Sequence, residues 1–358
     1  MFELIKKVFV LQFLFIVTLT TLTCKKSPTE PNGNLQPGRR DYVWSIDSIT
    51  RPGFPDIQSI WGSSPTDVWG AGFSMDVRDC LWHFDGKSWK RATAGTPITQ
   101  FGNGSKIVGL VWGTSKNNVW AFGGRIFSNP DRSEPFIMKF NGSSWYEILD
   151  QKENQPDGLF DFFDISENEF WISDYEKVYH YKNGLWKKYF VGTNLVVSSI
   201  AVIGSQVYIL SYPIGIDSLF LMKFNNGEFI IIDKTTALTN PKFGIYDLFF
   251  TDSKVYTIGE YGIYEANLNG NDILTDSWKQ IKKTYRGGFV KSFKLSNKDI
   301  WVVGSYAYPY HYNGYDWQPV NIFPQGISTY GHSLWGIWGN GKEIFICDVE
   351  NGIIYHGK

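Results

Sequence analysis

Residues 57–73 read IQSIWGSSPTDVWGAGF and, after a short polar gap, residues 80–89 read CLWHFDGKSW. The centre of this stretch is an aromatic between small or apolar neighbours, Val68-Trp69-Gly70. The same triplet returns as Val119-Trp120-Ala121, Phe170-Trp171-Ile172, Val207-Tyr208-Ile209, Val255-Tyr256-Thr257, Ile300-Trp301-Val302 and Ile344-Phe345-Ile346. Successive aromatics are separated by 51, 51, 37, 48, 45 and 44 residues. Internal repeats of about 40–50 residues are the period of a four-stranded propeller blade.

The parts within each repeat correspond as well. A strand ending in Trp61-Gly62, Trp112-Gly113 or Trp338-Gly339 precedes a short polar turn and the marker triplet. A third strand follows, carrying LWHF, IMKF, VYHY, LMKF, IYEA, PYHY or IIYH. Asp85-Gly86, Asn141-Gly142, Asn183-Gly184, Asn226-Gly227 and Asn313-Gly314 then mark tight hairpins, because both positions tolerate positive φ. A fourth strand opens at Trp89, Trp145, Trp186, Phe229, Trp278 or Trp317. Pro319 fits such a strand only at an outer edge.

The last repeat stops at Lys358 without a fourth strand, and an isolated strand with Trp44 stands ahead of the first repeat. The expected fold is therefore all-β: a seven-bladed β-propeller with four antiparallel strands per blade. Its ring is closed by residues 42–49 joining the C-terminal blade. Composition agrees, with 15 Trp, 20 Tyr, 27 Phe and 36 Gly, since aromatics suit pleated surfaces and Gly punctuates turns. A net charge of −1 gives no electrostatic footprint for nucleic acid.

The N-terminus reads as an address. Lys6 and Lys7 precede an apolar run from Val8 to Leu22, too short for a spanning helix and suited to a secretory signal over 1–23. Cys24 at the end of that run resembles the lipobox of bacterial lipoproteins, with Thr21 and Thr23 departing from the usual residues there. The resemblance implies a lipidated Cys24, export to the bacterial cell envelope, and membrane attachment by the lipid alone. Residues 25–40 are polar, with three Pro and two Gly, and read as a flexible linker, leaving 41–358 as the propeller. The blades resemble a group of exported bacterial β-propeller proteins with the pattern W-G-S-S-x-x-D-V-W-x-x-G, then H-x-D-G-x-x-W. Most of that group has no assigned function, so the resemblance implies a secreted or surface propeller. The D-G-x-x-W turn is also similar to the Asp-box of sialidase-like propellers, but Asp85 stands four residues before Trp89 where that box has five.

Residues that look like a site when read once become blade parts when read seven times. His83, His180, His311 and His356 share one third-strand position, so they are expected in separate blades and cannot converge on a metal. His332 falls outside that series. No nucleophile elbow, phosphate loop or Asp-rich calcium loop of standard spacing is present, and no cofactor or catalytic residue is expected. Cys80 and Cys347 lie in the first and last blades, neighbours in a closed ring. Either a disulfide or two buried thiols fits them.

Loop lengths supply the functional expectation. Connections between second and third strands, and between blades, are long in selected repeats and project from one face, whereas the remaining turns are short. The long-loop face collects Arg78, Arg125, Arg132, Tyr212, Arg286 and Tyr306, residue types enriched in binding hot spots. The expected function is a monomeric, lipid-anchored binding or scaffold module with a protein or glycan partner on this face. The alternative is a carbohydrate-active hydrolase or lyase in the central depression, which requires acidic residues converging at the entrances of the inner strands.

Overall fold

The computed structural model describes residues 37–49, 56–73, 80–92, 105–128, 131–149, 154–156, 161–238, 240–284, 287–324, 328 and 330–358. The signal segment, Cys24, the linker up to residue 36, Arg78 and Arg286 lie outside these residues.

Seven antiparallel sheets form a ring, each built from strands taken in sequence order from the axis outward. The innermost strands are Asp56–Ser64, Ser105–Ser115, Asp161–Ser166, Leu195–Ile203, Asp247–Phe250, Phe289–Ser296 and Leu334–Gly339. The seventh sheet is completed by Trp44–Ser48, which pairs with Ile353–Gly357 from Trp44↔Gly357 to Ser48↔Ile353. Reciprocal backbone bonds between Val43 and Lys358, at 2.9 and 3.1 Å, seal the two ends together. Pro319 lies in the outermost strand of blade six, where no ladder partner is lost. Blade five is the irregular one. Its third strand turns tightly at residues 270–271 into Asp272–Ile273, and a 3-10 turn at Thr275–Ser277 leads into the fourth strand.

The hairpin signals act in two ways. In blades three and four both Asn183-Gly184 and Asn226-Gly227 have positive φ, as expected. In blades one, two and six only the Gly is left-handed. There Asp85, Asn141 and Asn313 instead accept two backbone N–H groups each within the turn.

The marker aromatic and the third-strand His form one unit. Trp69, Trp171, Trp301 and Phe345 are register partners of His83, His180, His311 and His356, with ring centroids 4.3, 4.1, 4.2 and 3.9 Å apart. Each His Nε2 then meets the acid two residues before the aromatic. The distances are 2.6 Å to Asp67, 3.0 Å to Glu169, 2.9 Å to Asp299 and 2.7 Å to Glu343. These histidines thus find their Nε2 partners inside their own blades, in four separate sheets, while His311 Nδ1 is buried without a partner. Blade five keeps the contact with its polarity reversed, Lys254 Nζ meeting Glu265 at 2.6 Å across Tyr256. In blade two, Lys139 lies over the Trp120 ring at 4.6 Å.

One expectation needs correction, and one open alternative is decided. The segment from Arg125 to Pro135 is not a loop; it extends a hairpin paired from Val119↔Phe140 out to Ser128↔Asp131. Cys80 and Cys347 are both buried and no disulfide joins them. A Cβ at Gly336 would lie 3.2 Å from the Cys347 sulfur and 3.1 Å from the carbonyl oxygen of Gln58 in blade one's inner strand. Cys80 opens the third strand of that blade, two strand spacings or about 10 Å further out, beyond the reach of a bridge.

The aromatic–His–acid unit has measurable consequences. Asp299 accepts from both Trp301 Nε1 and His311, and both its neighbours are buried. Asp299→Ala is expected to lower stability by about 2–4 kcal/mol in denaturant titrations, against about 1 kcal/mol for Asp67→Ala in the more open unit of blade one. Burial holds His180 and His311 below the usual imidazole range, with Glu169 and Asp299 offsetting part of that effect. The folded protein thus favours the neutral rings, whereas the unfolded chain protonates near pH 6.5. Stability is full above that pH and falls on acidification below it. His180→Gln should make the pH 7-to-5 decline in the denaturant midpoint shallower.

Candidate functional site

One position in every blade faces the axis two residues before the inner-strand aromatic or its equivalent. It holds Ser59, Leu110, Asp161, Ser199, Asp247, Lys291 and Gly336 in blades one to seven. The inner strand is the edge of its sheet, so alternate N–H groups point to the axis unpaired. The side chain at this position reaches across to the next blade and accepts one of them. Ser59 takes Val111 N (3.1 Å), Asp161 takes Ile200 N (2.9 Å), Ser199 takes Leu248 N (3.0 Å) and Asp247 takes Ser292 N (2.6 Å).

In blades three to six these residues converge into one network. Ser199 Oγ donates to Asp161 Oδ2 at 2.8 Å and lies 3.2 Å from Asp247 Oδ1. Lys291 Nζ spans from blade six to Asp161 of blade three at 2.6 Å and stands 3.8 Å from Asp247. Ser292 Oγ adds a bond to Asp247 Oδ2 at 2.7 Å. Burial pushes the Asp247 carboxyl up, while Lys291 and Ser292 hold it back in part. For Lys291 burial alone would depress the ammonium, but attraction by Asp161 and Asp247 outweighs it and the group stays charged.

All three charged residues sit at the start of their strands, on the long-loop side. Acidic residues therefore do converge at the inner-strand entrances, the arrangement that the hydrolytic alternative requires. Their state argues against that use. Asp161 and Asp247 are 5% and 4% exposed, and every carboxylate oxygen is already engaged by a hydroxyl, an amide or the ammonium. The axis is narrowed further by Phe163 of blade three stacked on Phe250 of blade five at 6.2 Å.

The residues picked from the sequence as binding residues are spread around the ring. Arg125 and Arg132 occupy the extended hairpin of blade two, where Arg125 opposes Glu134 and Arg132 opposes Phe127. Tyr212, in blade four, is half-buried against the core between blades four and five. Tyr306, in blade six, is 44% exposed with φ of 57°, and its N–H bonds to the His332 carbonyl.

One surface group went unrecognised in the sequence, and a second was recognised only through its tyrosines. Tyr175, Ile214, Ile216 and Leu238 form an exposed patch over blades three to five, the last three being 61%, 65% and 66% exposed. Backbone bonds tie it together: Val197 N to Tyr175 O, Ile214 N to Asn194 O, and Ala237 and Leu238 N to Asp217. At blades six and seven, Tyr306 and Tyr330 pack at 5.7 Å beside exposed Tyr308 and Trp335. Below them His332 is not alone. Its Nδ1 contacts the buried Asp348 carboxylate and lies 3.1 Å from both Tyr355 Oη and Asn351 Nδ2. Among the described residues no three potential ligands stand close enough to hold a metal ion.

No family model matches the chain, and no curated protein matches it by sequence. Solved structures do. The extracellular domain of BT4673 from B. thetaiotaomicron, called a hybrid two-component system in one structure and a one-component system in another, is similar over 87% and 88% of this chain. The TM-score is 0.59 for both, at 14% and 13% identity. The chain spans 39% and 40% of those domains, and the likeness shows the propeller fold alone. BamB from Moraxella catarrhalis, at 12% identity, is covered in full with a TM-score of 0.45 and carries no further weight.

The axial network is a staple across four blades. Lys291→Met leaves two buried carboxylates without their cation. It is expected to lower stability by about 2–3 kcal/mol at pH 7, less than for a closed ion pair because the Lys291 side chain is 41% open to solvent. Because Asp247 takes up its proton readily, the deficit should shrink as the pH falls from 7 to 4 in denaturant midpoints.

Proposed function

We propose that the protein is an exported, envelope-anchored binding module that engages a protein partner through its long-loop face. The observation that carries this reading is the exposed patch of Ile214, Ile216 and Leu238. Exposed aliphatic side chains on neighbouring long-loop connections, beside Tyr175 and the Asp217 turn, are characteristic of a protein interface. The aromatic group of Tyr306, Tyr330 and Trp335 lies on the same side of the disc. The short-loop turns are closed by their own Asx side chains, and large apolar groups exposed there, such as Val43, Leu185 and Tyr315, stand in separate blades, seven, three and six.

Export is supported by the Lys6-Lys7 flank, the apolar run and Cys24, and the extracellular placement of the BT4673 domain agrees with it. Hydrolysis at the axis would need the carboxylates of Asp161 and Asp247 to meet substrate, and the staple occupies both.

The test is site-specific photo-cross-linking in intact cells. A photoreactive residue in place of Ile216 should give a discrete cross-linked species, and one in place of Tyr315 should not. Adding Ile214→Asp and Leu238→Ser should abolish the species while the thermal midpoint stays within a few degrees, as expected for surface changes. Equal cross-linking from both positions, or none from either, would reject this face.

A further inference from the structure

The chain enters the propeller on the short-loop side. Gly38 donates its N–H to the carbonyl of Lys298, in the turn between the first and second strands of blade six, at 3.1 Å. A side chain at Gly38 has no room: a Cβ would lie 2.6 Å from His311 Nε2 and 2.7 Å from Asp299 Cγ. Arg40 reaches the turn between the third and fourth strands of the same blade. Its guanidinium donates to Asp316 Oδ1 at 2.8 Å, to the Asp316 carbonyl at 2.5 Å and to the His311 carbonyl at 2.7 Å. Arg39 then covers the Tyr42 ring at 4.4 Å, and Tyr42 and Trp44 pack on Trp301. Every one of these contacts lies on the rim opposite the long loops.

We infer that the short-loop face is the anchored face, so that the propeller stands with those turns toward a lipid bilayer and the long-loop face away from it. This rests on the anchor reading of Cys24. Twelve residues, 25–36, separate that cysteine from Pro37. A stretch of that length reaches at most about 40 Å when fully extended. The sheets, of six to nine residues, stand about 20–30 Å tall at roughly 3.3 Å per residue. The tether therefore needs little of that reach when the face it leaves is the one nearest the bilayer. Inverting the disc would require it to stretch along the whole height of a blade. The bilayer is thus the occupant of the short-loop side, and the Ile216 patch is left to partners approaching from beyond the membrane.

The buried Cys80 and Cys347 leave introduced surface thiols open to selective labelling. Tyr315→Cys on the short-loop side and Tyr330→Cys on the long-loop side replace residues 80% and 81% exposed. Each variant of the full, lipidated chain is labelled with a donor dye and bound to vesicles carrying a headgroup acceptor. Energy transfer from position 315 should exceed that from position 330 severalfold, and Arg40→Ala with Asp316→Ala should narrow the gap. Equal transfer, or stronger transfer from position 330, overturns the inference. Failure of the anchor reading is seen separately, as equally poor vesicle flotation of the wild-type and Cys24→Ser chains. In that event the N-terminus of a chain beginning at Lys25 is coupled chemically to lipid, and the same two labels report the exit geometry.

Discussion

An inner strand of a propeller blade is a sheet edge that no further strand can cover, and its outward N–H groups must find acceptors at the axis. Here the acceptor is a side chain from the preceding blade. Ser59, Asp161, Ser199 and Asp247 each take the amide that follows the equivalent residue in the next blade. This one contact joins consecutive sheets where they are closest and fixes their relative rotation. A serine suffices where the contact is a single bond. Where two aspartates share the axis their charge needs a counterion, and Lys291 supplies it from three blades away. Gly336 stands at the same position in blade seven and is the exception that closure requires, because any side chain there would strike the Gln58 carbonyl.

A second contact organises each blade internally. The acid two residues before the marker aromatic, the aromatic itself and the third-strand His form a stack in which the His Nε2 meets the acid. Because the three residues occupy three registered positions, the identity of each can drift while the contact persists. Phe345 replaces Trp in blade seven, and Lys254 with Glu265 exchanges the charges in blade five. The two contacts together absorb four of the five histidines and the buried axial aspartates, residues that would otherwise suggest catalysis.

The fold was legible because blades repeat in sequence what they repeat in space: counterparts of Trp69, His83 and Asp85-Gly86 recur in the same order from blade to blade. The axial staple was not, because its position carries Ser, Leu, Asp, Ser, Asp, Lys and Gly, and no single residue type marks it. Aligning the column two residues ahead of Trp61, Trp112 and Phe163 would have exposed it. Arg125 to Pro135 read as a loop because the segment is polar and holds a proline, yet pairing outside the ring needs no apolar face. His332 looked isolated because its partners, Asp348, Asn351 and Tyr355, belong to a turn that only the closed seventh blade brings beside it. The exposed isoleucines were invisible for a simpler reason: alternation cannot tell an apolar residue at a strand end from one in the core.

Closure of the ring also gives the disc its polarity. Lys358 ends at the short-loop rim and Val43 begins the last strand there, so the chain leading into that strand must approach across the same rim. Gly38 and Arg40 convert that topological necessity into a fixed path over blade six. The same closure leaves the opposite rim free of chain ends, and connections there can lengthen without disturbing either repeating contact. Ile214, Ile216 and Leu238 lie on two such connections, rigidly based on blade four and its junction with blade five. A surface built this way keeps its geometry while its side chains vary, as a binding face requires.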